Sequence, residues 1–269
     1  MSNIVVRTIT GIIFLVVVIG SIVFSKYSFF LLFELIILGS MYEFYTLAKK
    51  KGFNPQKAYG MIIGAIVFAA NYLFANSIVD FRIFLGIIPI IISIFIIELY
   101  RKSDDAFVDI GFTLLGVIYI AVPLSLSNYI TISETHGYNW QLLLGFFFLT
   151  WSFDTLAYVF GISFGKHRLF ERISPKKSWE GFIGGTISTL GIAYVISIFY
   201  TELSFIQWAI ASIIIAIFGT FGDLVESSFK RNIDEKDSGS ILPGHGGVLD
   251  RFDAVLFTLP LFYLYLQII

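Results

Sequence analysis

The sequence contains no cysteine and few charged residues for its length of 269. The absence of cysteine excludes disulfides, thiolate metal ligands and cysteine nucleophiles within this chain. Only 14% of the residues are charged, whereas a soluble domain carries about 25%, so a soluble enzyme of this length is excluded. The formal net charge of −1 removes the electrostatic case for a nucleic-acid partner, because proteins that bind phosphate backbones are strongly basic over one face.

Apolar runs fill most of the chain, and hydrophobic residues make up 57% of it. A helix needs about 20 apolar residues to cross roughly 30 Å of hydrocarbon, and repeated segments approach this length. The sequence therefore predicts an all-α polytopic integral membrane protein with about nine transmembrane helices and cytoplasmic catalytic loops. We place the spans at residues 4–24, 28–48, 58–75, 81–100, 110–130, 141–163, 181–200, 204–222 and 252–269.

The basic residues are distributed unequally between alternate loops. Of the 18 lysines and arginines, only Lys26 and Arg82 fall on one side of the predicted membrane. Because cytoplasmic loops carry the excess of lysine and arginine, the other side is predicted to be cytoplasmic, with the N-terminus inside and the C-terminus outside. Two long loops on that side, 165–180 and 223–251, contain most of the unusual polar residues. A binding site is therefore expected to open to the cytoplasm.

The segment that follows residue 222 is typical of the cytoplasmic end of a helix. Asp223, Glu226 and Lys230 recur at spacings of three, four and seven, which places two acids and a base on one helical face. Such a face can be an ion-pair surface at the membrane boundary, or it can be part of a site.

Four glycines fall among residues 239–247, which we term the glycine loop. Glycine reaches positive φ and permits close approach of a phosphate, so the backbone N–H groups of the loop can converge on an anion. His245 lies within the loop, and Asp250 and Asp253 follow it. Asp253 can be a helix cap or a ligand. Asp223 and Asp250, on either side of the loop, suit a Mg²⁺ ion bound through a few carboxylates, waters and substrate phosphates.

A long run of specified residues crosses this loop. It reads Ser227-x-Phe229-Lys230-Arg231-x₄-Lys236-Asp237-x-Gly239-x₂-Leu242-Pro243-x-His245-Gly246-Gly247-Val248-x-Asp250-Arg251-Phe252-Asp253. The run resembles, without departure, the signature of the phosphatidate cytidylyltransferases, also called CDP-diacylglycerol synthases. Two further motifs of that family, the second of them weaker, are similar to Ser174-Pro175-Lys176-Lys177-Ser178-Trp179-Glu180-Gly181 and Trp151-Ser152-Phe153-Asp154-Thr155-x-Ala157-Tyr158. The resemblance covers residues 150–269, whereas residues 1–140 resemble the family in hydropathy alone.

The resemblance implies that CTP and phosphatidate are converted to CDP-diacylglycerol and pyrophosphate in phospholipid biosynthesis. It implies Mg²⁺ as the cofactor, with or without a second cation, and a homodimer in the lipid bilayer. We expect a multi-pass protein of a bacterial inner (plasma) membrane whose active site faces the cytoplasm. Residues 1–140 would form a scaffold or a lipid-entry surface, and residues 141–269 the catalytic region. The residues expected to be catalytic are Asp223, Asp250, Lys230 and His245.

The expected metal ligands are Asp223, Asp250, Asp154 and Asp253. Asp154 lies inside an apolar span, where an ionisable residue is a functional-site hypothesis by default; the alternative is a structural partner for a group such as Tyr158. The expected substrate-binding residues are Lys176, Lys177, Ser178, Glu180, Arg231, Lys236, Gly246, Gly247 and Arg251.

Several of these residues have more than one possible role. Lys176 and Lys177 can bind CTP phosphates, together with a helix N-terminus near Ser178, or they can be ordinary flanking charge. Glu180 can bind metal or orient a lysine. The cations Lys230, Arg231 and Arg251 can bind the lipid phosphate or pyrophosphate, or they can attract anionic headgroups. His245 can donate to a phosphate oxygen or satisfy the loop backbone.

Two other functions compete with cytidylyl transfer. A CTP-dependent polyprenol or dolichol kinase needs similar nucleotide-binding residues but transfers the γ-phosphoryl group. A transporter is compatible with nine spans, although transporters usually show internal repeats and helices interrupted near the membrane midplane. The polar residues of this chain cluster in loops instead, with Asp154 as the main exception.

Overall fold

The computed structural model describes residues 3–133, 137–241, 244 and 246–269. In the first half of the chain, these residues form mainly helices. They are α1 (Asn3–Phe24), α2 (Lys26–Lys50), α3 (Lys57–Ala75), a 3₁₀ turn (Phe81–Gly86) leading into α4 (Ile87–Arg101), α5 (Ala106–Gly116), a π-helical turn (Val117–Ala121), α6 (Val122–Ser125) and α7 (Ser127–Thr131). Two short antiparallel strands follow, β1 (Ile132–Ser133) and β2 (Gly137–Tyr138).

The second half contains longer helices and a second hairpin. The elements are α8 (Gln141–Phe164), β3 (Arg168–Phe170), β4 (Ser174–Ser178), α9 (Trp179–Phe199), α10 (Phe205–Asn232) and α11 (Leu249–Ile268). Strands β3 and β4 pair antiparallel, with Arg168 opposite Ser178. The hairpin lies inside the 165–180 segment, which the sequence reading treated as a loop.

Each of the nine predicted spans coincides with a helical segment. Within the described part of the chain, seven segments are long and apolar enough to cross a membrane; the 3₁₀ turn with α4 and the run from α5 to α7 count as one segment each. The two other predicted spans fall on α1, which is apolar over Thr8–Phe24, and on α11, which contains Pro260. The prediction of an all-α, multi-pass membrane protein is therefore confirmed.

The chain divides into two compact units. The first contains Met1–Tyr138 and Ile233–Phe252, and the second contains Asn139–Asn232 and Asp253–Ile269. The segment that carries the glycine loop therefore folds with the N-terminal helices, although its sequence neighbours on both sides fold with the second unit.

The first unit packs around the C-terminal half of α2. Tyr45 is fully buried, and its hydroxyl donates a 2.7 Å hydrogen bond to the carbonyl of Thr113. Gly60 of α3 and Gly116 of α5 lie against the Tyr45 ring, where an added Cβ would overlap it. These two glycines therefore let both helices approach the aromatic side chain closely.

The second unit packs around Trp208 of α10 and the contact between α8 and α9. Trp208 is fully buried and stacks on Phe262, with 6.2 Å between the ring centroids. Gly185 of α9 lies so close to Ala157 of α8 that a Cβ would sit 2.9 to 3.0 Å from its atoms. This close approach fixes α8 and α9 against each other and so positions the chain that joins them.

Candidate active site

The Ser-Pro-Lys-Lys-Ser-Trp-Glu-Gly motif forms a strand that runs directly into a helix. Ser178 ends β4 and is the N-cap of α9, since its Oγ accepts a 3.1 Å hydrogen bond from the Gly181 N–H. A serine in this position satisfies one of the free N–H groups at the helix start. The predicted helix start near Ser178 is confirmed, and the side chain that was expected to bind an anion serves here as a cap.

Glu180 ties the start of α9 to the segment after α8. Its carboxylate accepts hydrogen bonds from the backbone N–H groups of Lys166 and His167, at 3.1 to 3.2 Å. The Nδ1 atom of His167 lies 2.6 Å from its Oε1 atom. These contacts stabilise the hairpin against the helix, and the metal-binding and lysine-orienting roles expected for Glu180 stay predictions.

Lys177 forms an ion pair with Asp223, the first acid of the 223–230 helical face. The distance from Lys177 Nζ to Asp223 Oδ2 is 2.5 Å, and the two side chains are 27% and 37% exposed. Ser227 donates a 3.1 Å hydrogen bond to the other carboxylate oxygen of Asp223. Solvent-exposed ion pairs contribute roughly 0.2–1 kcal/mol, so this pair adds little to stability and can open when another anion competes for the lysine.

Three carboxylates of the second unit act electrostatically on a fourth, Asp253, and we term these four acids the acidic cluster. Asp253 interacts electrostatically with Asp223, Glu226 and Asp154. Glu226 is 1% exposed in its side chain and pairs at 2.5 Å with Lys230 one turn later in α10. Gly222 permits this arrangement, because it lies directly against the backbone of Asp253, the first residue of α11 that belongs to the second unit. The cluster thus combines four acids with the two lysines 177 and 230.

The donor chemistry of this cluster fits the expected Mg²⁺. Carboxylate oxygens are the ligands that Mg²⁺ takes from proteins, usually one or two at a time with waters and substrate phosphates completing the shell. Within the described residues, no three histidine, cysteine, aspartate or glutamate side chains are grouped as a ready-made metal site. The acids therefore supply the right atoms for a cation shared with substrate phosphates.

In the first unit, Asp250 organises the flanks of the glycine loop. Its carboxylate accepts hydrogen bonds from the Ser238 N–H, at 3.0 and 3.1 Å to the two oxygens, and from the Gly247 N–H at 2.8 Å. Gly244 and Gly246 have φ angles of +76° and +83°, a conformation that favours glycine. The amide of Gly247, expected to bind substrate, is bound here to Asp250.

A buried acid that the sequence analysis does not identify lies beside this loop. Glu43 of α2 is 2% exposed, and its Oε2 atom accepts hydrogen bonds from the Leu249 N–H at 2.9 Å and from the Ser238 Oγ at 3.1 Å. The signal that could have found it is an ionisable residue inside the apolar 28–48 span.

The predicted site residues are divided between the two units, and His245 lies outside the described residues. The pairing of Asp223 with Asp250 around one metal ion joins different units, so it stays a prediction. The predicted residues in the first unit are Lys236, Gly246, Gly247, Asp250 and Arg251; those in the second unit are Asp154, Lys176, Lys177, Ser178, Glu180, Asp223, Lys230, Arg231 and Asp253.

Comparison with known proteins gives a match over nearly the whole chain. A family model described as the cytidylyltransferase family matches residues 5–269. Three similar proteins are named phosphatidate cytidylyltransferase: those of Staphylococcus saprophyticus subsp. saprophyticus, Staphylococcus haemolyticus and Staphylococcus aureus, with 43%, 44% and 41% identity over 162 residues. Each matched segment spans 60% of this chain and 60% of the relative's length.

Proposed function

The chain belongs to the cytidylyltransferase family, and from this premise we propose that it transfers the cytidylyl group of CTP to phosphatidate. The products are CDP-diacylglycerol and pyrophosphate. The names of the relatives support this reaction over the γ-phosphoryl transfer of a polyprenol or dolichol kinase. A transporter gains no support from the family match.

The reaction needs charge neutralisation more than it needs a protein nucleophile. A phosphate oxygen of phosphatidate forms a bond to the α-phosphorus of CTP. The bond from that phosphorus to the α–β bridging oxygen breaks, and its electron pair leaves with pyrophosphate. The attacking oxygen is already ionised near pH 7, so no general base is required. Both substrates are anions, and catalysis of such transfers is mostly positioning and electrostatic stabilisation.

The observation that carries the proposal is the Lys177–Asp223 ion pair beside the acidic cluster. It joins the lysine of one family motif to the acid that precedes another, although 46 positions separate them in the sequence. CTP phosphates would take the place of Asp223 on Lys177, with Lys176 and the α9 N-terminus close by in the sequence. The released Asp223 carboxylate is then available to a cation that accompanies the nucleotide.

Four aspartates would hold the proposed Mg²⁺. We assign Asp223, Asp154 and Asp253 of the acidic cluster to it, together with Asp250, and a second cation has the same carboxylates available. When bound, the ion supplies positive charge that offsets the repulsion between the two anionic substrates.

The remaining predicted residues are assigned to the lipid phosphate and to pyrophosphate. Lys230 is held by Glu226 within α10, and Arg231, Lys236 and Arg251 are exposed, as binding to a mobile anion requires. His245 and Gly246 would donate hydrogen bonds from the glycine loop, whereas the Gly247 N–H is already bound to Asp250. We place this site on the cytoplasmic side of a bacterial plasma membrane, in a homodimer.

Two labels on CTP distinguish the proposed reaction from its rival. Purified protein would be incubated with phosphatidate, Mg²⁺ and CTP labelled at either the α- or the γ-phosphorus, and the lipid fraction would then be counted. Cytidylyl transfer puts the α-label into lipid and leaves the γ-label in soluble pyrophosphate. Lipid that carries the γ-label alone would support a kinase and overturn the proposal.

A further inference from the structure

A carboxylate in the N-terminal half of the chain binds residues on both sides of the glycine loop. Glu43 is buried in α2, between Leu249 and Ser238, and accepts a hydrogen bond from each. These two hydrogen bonds, which we term the anchor, are what a buried carboxylate needs, because a buried charge without hydrogen bonds would be strongly destabilising.

Two glycines of the family signature lie in close contact with this carboxylate. A Cβ at Gly239 would overlap Glu43 Oε1, and a Cβ at Gly247 would overlap both Glu43 Oε2 and Ser238 Oγ. These positions therefore require glycine for the close approach of a side chain from α2. The steric requirement is independent of the hydrogen bonds, and both point to the same acid.

The face of α2 that carries Glu43 also receives the start of α11. Gly39 precedes Glu43 by one helical turn and packs against Val248, with an added Cβ 3.4 Å from that side chain. Leu249 and Phe252 are buried in the same unit, and the Phe252 ring lies edge-on to Phe14 of α1 at 6.1 Å. The first turn of α11 thus packs against α1 and α2.

One residue, Ser238, connects Glu43 to Asp250, the predicted catalytic acid. Ser238 donates its hydroxyl to Glu43 and its backbone N–H to Asp250, and Asp250 in turn accepts from the Gly247 N–H. Displacement of the Ser238 side chain would therefore move an N–H group that orients the Asp250 carboxylate.

We propose that Glu43 is the positioning residue of the glycine loop, which sets the orientation of Asp250 from a membrane-spanning helix outside the signature motifs. This inference rests on the proposed function for its effect on turnover, but not for its effect on the loop. The N-terminal helices then contribute to the site directly, because α2 supplies the carboxylate that positions the loop.

The test compares Glu43→Gln with Glu34→Gln in the intact, detergent-solubilised protein. Glu34 lies nine residues earlier on the same helix and makes no hydrogen bond to the glycine loop among the described residues. Glutamine keeps the size of glutamate but presents an amide N–H₂ to a set of N–H donors. Two readouts are taken: hydrogen exchange of backbone amides in 238–250, and kcat and KM for CTP and phosphatidate.

We expect Glu43→Gln to speed amide exchange in 238–250 while leaving exchange in α8 and α9 unchanged. We also expect kcat/KM to fall roughly 10- to 100-fold, the size of effect that a misplaced catalytic group produces, mainly through kcat. Glu34→Gln should leave both readouts unchanged. Ser238→Ala, which removes one donor and is less disruptive, should give the same pattern at smaller amplitude and replaces Glu43→Gln if that variant does not fold.

If Glu43→Gln leaves amide exchange in 238–250 unchanged, Glu43 does not position the loop. If exchange becomes faster while kcat is unchanged, the positioning of the loop by Glu43 has no effect on catalysis. The exchange readout needs no turnover. If the unaltered protein transfers no cytidylyl group, the proposed function fails while the anchor is still judged by exchange.

Discussion

At the scale of single residues, Lys177 offers the most direct test of the proposed nucleotide site. Its ion pair with Asp223 is partly exposed and contributes little to stability. We expect Lys177→Ala to raise the KM for CTP by about 10- to 100-fold, since a hydrogen bond to a charged group is worth about 1.5–3 kcal/mol. Steady-state kinetics at varied CTP checks this, with Lys166→Ala, an exposed lysine of the same segment, as control. An unchanged CTP dependence would remove Lys177 from the nucleotide site.

For Asp250, the structure adds a structural role to the predicted one. Its carboxylate holds two backbone N–H groups beside the glycine loop, in addition to its predicted role as a metal ligand. We expect Asp250→Asn to abolish turnover while the protein still folds in detergent, because the amide weakens both functions. The matched control is Asp234→Asn, an exposed aspartate with φ of +59°, a conformation that asparagine tolerates. Near-normal activity at saturating Mg²⁺ would refute the assignment.

At the scale of secondary-structure elements, the helices are predictable and their partners are not. The apolar runs locate the helices, and the Ser178 cap marks the start of α9 because its signal is local. The β3–β4 hairpin lacks alternating apolar residues, so no pattern in the sequence indicates it. Glu43 binds Ser238 across 195 positions and Leu249 across 206. No short-range pattern encodes such contacts, and the sequence analysis therefore does not identify Glu43.

The contact between α8 and α9 provides a stability test at this scale. Gly185 faces Ala157, where a Cβ would sit too close to backbone atoms, whereas Gly191 on the same helix has open space around it. We expect Gly185→Ala to destabilise the protein by about 1–3 kcal/mol through overpacking. Gly191→Ala should be neutral or stabilising by up to about 1 kcal/mol, since alanine is the better helix former. Thermal unfolding in detergent measures both, and equal midpoints would contradict the packing described.

At the scale of the whole molecule, the scarcity of charge decides the fold class and the predicted orientation. All nine apolar runs coincide with helical segments. In a chain with only 14% charged residues, a helix is one of the few structures in which an apolar run of this length can satisfy its backbone hydrogen bonds. The side of the membrane follows from the positions of the basic residues alone. The division into two units, with 233–252 returned to the first, could not be predicted, because it depends on contacts between distant segments.

The absence of native cysteine makes the orientation directly testable. We expect a cysteine at Lys51, exposed after α2, to react with an impermeant maleimide only after the membrane is opened. A cysteine at Ile78, exposed after α3, should react in intact cells. These positions flank one predicted span and serve as controls for each other. Labelling of residue 51 alone in intact cells would reverse the predicted orientation.

The central claim is that this chain makes CDP-diacylglycerol. The most direct measurement is mass spectrometry of the lipid extract, together with an assay of pyrophosphate, after the purified protein reacts with CTP, phosphatidate and Mg²⁺. We expect CDP-diacylglycerol and pyrophosphate in equal amounts, with neither formed by Asp223→Asn or after removal of the divalent cation. Unchanged phosphatidate in the presence of folded protein and Mg²⁺, or a lipid product without cytidine, would contradict it.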